Sequence, residues 1–153
     1  MLPTVFALVI FAAANLGGMI SAHAQNGAAG DKKADKPLYS EYKGVHLDME
    51  ASEVRKKLGN PTDKGEVQDF FVFSDTESAQ VFYAKGKVMA VSVNYVGEKS
   101  APLPKVVLGT DIEAKPDGAM HKMVRYPDAG YLVSYNRTGG SDPLVTVTMQ
   151  KIQ

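Results

Sequence analysis

The chain has 153 residues, enough for one sizeable domain or two small repeats, and its lysine plus arginine balances its aspartate plus glutamate at 17 each. That balance leaves no net field to concentrate nucleic acid or an anionic membrane surface, so a nucleic-acid partner is not expected. The complete lack of cysteine excludes disulfides, thiolate nucleophiles, thiolate metal sites and lipid attachment through an N-terminal cysteine.

Residues 1–24 differ in kind from the rest. An uncharged run rich in Val, Phe, Ala, Leu and Ile leads into Ser21, Ala22, His23 and Ala24, the pattern of a secretory signal peptide with cleavage before Gln25. The expected localisation is periplasmic or secreted, with no stable membrane anchor after cleavage. No Lys or Arg precedes the apolar run; if the segment were retained, Lys32, Lys33 and Lys36 would favour a cytoplasmic location for the remainder of the chain. Residues 25–38, opening QNGAAGDKKADK, are small and polar without periodicity and read as a flexible linker. Tyr39 and Tyr42 then open the folded part, where such residues cap a core.

Residues 48–61 (DMEASEVRKKLGNP) declare a helix with its own start, face and end. Asp48 is the expected N-cap, and Glu50 and Glu53 place negative charge where the helix dipole favours it. Ala51, Val54 and Leu58 make a narrow apolar stripe, while Arg55, Lys56 and Lys57 set positive charge near the last carbonyls. Gly59 can close the helix in the left-handed conformation, and Pro61 prevents it from resuming. A helix this short depends on burying its stripe.

The period then changes from helical to alternating. Residues 69–74 (DFFVFS), 78–84 (SAQVFYA) and 88–95 (VMAVSVNY) are aromatic and β-branched, and the short polar breaks between them predict an antiparallel meander. In the third strand, Met89, Val91, Val93 and Tyr95 are expected on one face, with Ala90, Ser92 and Asn94 on the other. The C-terminal third of the chain reads as the same unit again. Leu108-Gly109 echoes Leu58-Gly59, LVSY (132–135) lies on QVFY (80–83), and VTVT (145–148) lies on AVSV (90–93). Residues 102–108 would be a proline-bearing, degraded counterpart of the helix, one or two turns long. The predicted fold is α+β, a short helix on an antiparallel β-meander in two tandem helix-plus-three-strand units, 39–97 and 98–153.

Lys43-Gly44-Val45-His46-Leu47, followed by Met49, Val54, Leu58, Gly59 and Pro61, carries a family resemblance. The pattern resembles the SmpA/OmlA family, small outer-membrane lipoproteins of the barrel-assembly machinery, and the related fold of β-lactamase-inhibitor proteins, over residues 44–95. The resemblance implies helix-plus-sheet units in tandem and a protein-binding or envelope-assembly scaffold. The family's lipobox cysteine is absent, so lipid anchoring does not carry over. Asp48 and Glu50 stand where the family has Gly before the Met and Ser or Thr after it.

No residue set points to catalysis. Beyond the signal only His46 and His121 remain as histidines, neither in a nucleophile–base motif nor beside a carboxylate pair at ligand spacing. The expectation is therefore a non-enzymatic protein without cofactor or metal. Glu50 and Glu53 are explained by the helix dipole, Asn136-Arg137-Thr138 reads as loop, and Gly139 to Pro143 is a turn without the Lys of a phosphate loop. Tyr83, Tyr131 and Tyr135 are the candidate partner-binding residues, since tyrosines on one sheet face supply rigid contact area with a polar end. The competing reading makes them ordinary cross-strand packing residues. A protein partner in the cell envelope is the first functional expectation. A soluble periplasmic binder of a small-molecule or glycan ligand in a groove between the units is the alternative.

Overall fold

Alternating β-branched and aromatic positions build six of the seven described strands, the short charged β1 being the exception, and two short helices with an N-terminal segment cover one face of the sheet they form. The protein's structure, a computed structural model, describes residues 36–152; the expected signal peptide and the linker up to residue 35 lie outside the described residues. The fold is α+β, with an all-antiparallel open sheet. In chain order the elements are α1 (Ala51–Leu58), β1 (Asp63–Lys64), β2 (Gln68–Ser74), β3 (Glu77–Ala84), β4 (Lys87–Val96), α2 (Pro104–Leu108), β5 (Met120–Tyr126), β6 (Tyr131–Arg137) and β7 (Leu144–Lys151). The strand order is β1-β2-β3-β4-β7-β6-β5, so two meanders meet along their last strands.

Helix α1 has the expected face and end but a different start. Val54 is fully buried, and Ala51 and Leu58 pack against the core. Asp48 is not the N-cap. The Asp48 N–H donates to the Val88 carbonyl at 2.9 Å and the Val88 N–H to the Met49 carbonyl at 2.9 Å, which pins this stretch to β4 and holds Asp48 at φ +67°. The helix begins only after Glu50, whose side chain makes no cap; the Ala51 N–H is satisfied by the Gly86 carbonyl in the β3–β4 turn. The Asp48 carboxylate instead meets Lys151 Nζ at 2.6 Å. At the other end Gly59 has φ +87° but ψ −163°, an extended positive-φ conformation open essentially to glycine alone, rather than the left-handed helical one. Helix α2 matches its expected brevity: five residues, with Pro104 in its first turn and Gly109 closing it in the left-handed conformation at φ +74°.

The third strand departs from simple alternation. Tyr83 pairs with Val88 and Phe82 with Ala90, leaving Met89 as an extra residue at a bulge. The bulge reverses the phase, so Val88 rather than Met89 joins Val91, Val93 and Tyr95 in the core. The internal alignment shifts in the same way. Laying VTVT on AVSV sets the core residue Val145 against Ala90, which stands on the opposite face. A one-residue shift, placing Val145 and Val147 on Val91 and Val93, restores agreement.

The core lies on the covered face, where Phe71, Val81, Val91, Val133, Val147 and Met149 pack beneath Val54 of α1 and Val107 of α2. Tyr42, Val45 and Met49 extend that cover. Among the described residues no helix is long and apolar enough to cross a membrane.

Candidate functional site

The candidate tyrosines all stand on the covered face. Tyr83 is 4% and Tyr135 3% exposed, while Tyr131 is half-buried. Their hydroxyls are spoken for: Tyr83 donates to Asp69 Oδ2 at 2.8 Å, Tyr135 to the Pro102 carbonyl at 3.1 Å and Tyr131 to the Tyr39 carbonyl at 3.3 Å. The Tyr135 and Tyr131 bonds tie the sheet to segments outside it, and the Tyr83 bond joins β3 to β2. The phase that aligns these three side chains points them into the core on the covered face.

Around Tyr83 lies a polar cluster that the sequence pattern did not disclose. Asp69 is fully buried and accepts four hydrogen bonds. Arg55 supplies two, Nε to Oδ2 at 2.8 Å and Nη2 to Oδ1 at 3.0 Å, the Gly65 N–H a third at 3.2 Å and Tyr83 the fourth. Burial pushes the Asp69 carboxyl up, but the Arg55 guanidinium, the Tyr83 hydroxyl and the Gly65 N–H outweigh it and hold the group below the usual carboxylate range. Burial and the Asp69 contact in turn push the Tyr83 hydroxyl well above its ordinary value. An ionised carboxylate with every lone pair engaged has no free basicity to offer a substrate. The cluster's chemistry is that of a clamp, fastening α1 to β2 and β3. Its signal in the sequence is that Asp69 falls in phase with Phe71 while Arg55 stands one turn from both Ala51 and Leu58.

His46 and His121 are exposed, His46 before α1 and His121 on β5. Among the described residues no group of three or more His, Asp and Glu could hold a metal ion.

The opposite face of the sheet has no cover among the described residues. Its central row runs Phe70, Gln80, Ser92, Thr148, Ser134 and Met123 across six strands; the next runs Val72, Ser78, Asn94, Thr146, Asn136 and His121. From β2 to β6 no residue in these two rows carries a formal charge. At the centre Ser92 and Thr148 hydroxyls meet at 3.0 Å, and the Thr146 hydroxyl donates to Asn94 Oδ1 at 2.8 Å, so the polar belt also stitches β4 to β7. Exposed apolar side chains rim the belt: Val72, Val96, Leu144 and Met123, each between 38% and 53% open to solvent. Beside Val96 lies a shallow depression of about 530 Å³ lined by Thr76, Gly97, Glu98, Ser141 and Pro143 among others.

Comparison with protein-family models, curated proteins and solved structures finds no match. The uncovered face and its rim are therefore read on their own chemistry. Short hydroxyl and amide side chains between apolar corners can accept a flat, uncharged surface.

Proposed function

We propose that this chain is an exported, non-enzymatic protein-interaction module of the bacterial cell envelope, similar in design to the SmpA/OmlA and inhibitor-type scaffolds. The observation that carries the reading is the uncovered sheet face, its central rows neutral across five strands and rimmed by exposed Val72, Val96, Leu144 and Met123. A neutral face of this kind avoids the desolvation of charge on docking, and apolar side chains at that density supply contact area. The contact surface belongs on this face, and Tyr83, Tyr131 and Tyr135 act behind it. The proposal includes two tandem units, α1 with β2–β4 and α2 with β5–β7. Its support is that each helix precedes a three-stranded meander and ends at a positive-φ glycine, and that Tyr83 and Tyr135 occupy matching covered positions. Export rests on the signal pattern of residues 1–24.

The alternative is a soluble periplasmic binder of a small-molecule or glycan ligand, favoured by the depression beside Val96, which is of ligand size. The test places a photo-crosslinking residue at Ser134, on the open face, and at Val106, exposed on α2, in the tagged full chain in native envelopes. Capture of defined envelope proteins from Ser134 alone, by a bait cut before Gln25, is the expected result. A cut bait that captures nothing moves the reading to the ligand binder, and an uncut bait with cytoplasmic partners overturns the compartment.

A further inference from the structure

The sheet ends in two edges that are built differently. On one side β1 covers part of β2, pairing with Asp69 and Phe70, and a bulge at Phe73 disturbs the remainder. Both devices blunt an edge against strand addition. On the other side β5 keeps unbroken register with β6 from Met120 opposite Arg137 to Tyr126 opposite Tyr131, and no described strand pairs with its outer side. Along this seven-residue strand every second residue therefore presents its backbone N–H and C=O outward.

The side chains of that strand have one sign of charge. His121, Met123 and Arg125 succeed one another on the open face, and Lys122 and Val124 stand on the covered side. His121 and Arg125 are exposed and Met123 is 50% exposed. Among the described residues none of the three basic groups has an ion-pair partner. The nearest acids in sequence are engaged elsewhere: Asp117 accepts the Ala119 N–H, and Asp128 at the far end has its own contact. Pairing of β5 with β5 of a second copy would bring Lys122 and Arg125 toward their duplicates, so the edge is defended against its own kind. The same arrangement favours an extended segment of opposite charge. In strand addition the main chain supplies the affinity and alternate side chains the selectivity.

We infer that β5 is an acceptor edge for an extended acidic segment of a partner protein, which joins the sheet as a further strand with carboxylates opposite His121, Lys122 and Arg125 and apolar side chains opposite Met123 and Val124. The inference rests on the interaction-module reading for the existence of a partner, but it uses the edge of the sheet and not its face.

The probe is a fluorescein-labelled synthetic peptide with glutamates and valines at those positions, titrated against the full chain by anisotropy. Three comparisons accompany it: the same peptide N-methylated at alternate backbone positions, the chain variant Lys122→Glu/Arg125→Glu, and a peptide with lysines in place of its glutamates. Saturable binding is expected, lost on N-methylation, weakened about 10-fold or more by the charge reversal, and recovered when the reversed variant meets the lysine peptide. If the double variant fails to fold, Arg125→Gln should give a smaller loss in the same direction. No saturable binding, binding indifferent to N-methylation, or binding indifferent to the charge of β5 would each overturn the inference. If the peptide fails while crosslinks from Ser134 to envelope proteins persist, the edge proposal falls and the interaction module stands. The converse result removes the open face as the docking surface and keeps the edge.

Discussion

Replacing Asp69 with Asn keeps the shape of the clamp and changes only its charge and one acceptor, which makes it the sharpest test of what fastens α1 to the sheet. Both carboxylate oxygens face donors alone: Oδ2 takes Arg55 Nε and the Tyr83 hydroxyl, and Oδ1 takes Arg55 Nη2 and the Gly65 N–H. Whichever way the new amide turns, its NH2 group meets donors. If it replaces Oδ1 it opposes a guanidinium N–H and a backbone N–H, neither of which can become an acceptor. If it replaces Oδ2, the Tyr83 hydroxyl can rotate to accept, but Arg55 Nε cannot. At least one charge-assisted bond is lost and a buried donor goes unpaired, for a cost of about 2–4 kcal/mol. The Arg55 side chain is 26% exposed, so water relieves part of its lost pairing and keeps the figure below that of a wholly buried ion pair. With a urea slope of about 1–3 kcal/mol per molar, the midpoint should fall by roughly 0.7–4 M. The pH dependence supplies a second reading. The folded Asp69 value lies below the unfolded value near 3.9, so its contribution is complete above about pH 4 and is lost as pH falls through the folded value. The gap between the native chain and Asp69→Asn should narrow in that window. A loss under about 0.5 kcal/mol at neutral pH, or a gap unchanged by acid, would refute the clamp.

Two further predictions concern backbone and tyrosines. Gly59→Ala should cost about 1–3 kcal/mol in urea unfolding although its Cβ would meet nothing within 4 Å, because the cost is one of conformation alone. Gly59→Asn should not recover it, whereas at Gly109, with φ +74° and ψ 4°, Asn should be tolerated better than Ala because it visits the left-handed helical region more readily. Equal behaviour of Asn at the two sites would contradict the geometry. All 7 tyrosines are pushed above their ordinary value, each with burial as the first cause, Tyr95 up to about 12. Their neutral forms favour the folded state, so that stabilisation is whole below about pH 10 and is lost as pH rises through the raised values. Ultraviolet titration should show tyrosines ionising together with unfolding; free ionisation near pH 10 in a still-folded chain would contradict the packing.

The helix end, the strand spans and the brevity of α2 were legible because each rests on local chemistry: Val54 and Leu58 at helical spacing, Gly59 before Pro61, short polar breaks between apolar runs, Pro104 ahead of Gly109. The start of α1 was not, because Asp48 has the composition of a cap while bonds to Val88, a residue 40 positions on, decide its conformation. The phase of β4 was hidden for a related reason. A bulge at Met89 depends on how β3 and β4 meet across the Lys85-Gly86 turn, and alternation read along one strand carries no trace of it. β1 has only two residues, both charged, so no pattern could announce it. The tyrosines do share one face, but alternation does not say which face the helices take. Asp69 escaped notice because a carboxylate at a strand's start reads as solvent-facing unless its phase with Phe71 is taken as seriously as its charge.

The joining of the two meanders along β4 and β7 has a consequence for how the chain is made. During synthesis β4 emerges more than forty residues ahead of β7. Until residue 151 is available, a nascent sheet of β2, β3 and β4 exposes a ten-residue edge carrying Val91, Val93 and Tyr95, the type of open strand that captures neighbouring chains. The middle of the mature sheet is thus its last part to close. A chain cut short before β7 would retain a complete first meander and lose the strand that shields it, so truncation from the C-terminus should produce aggregation out of proportion to the number of residues removed.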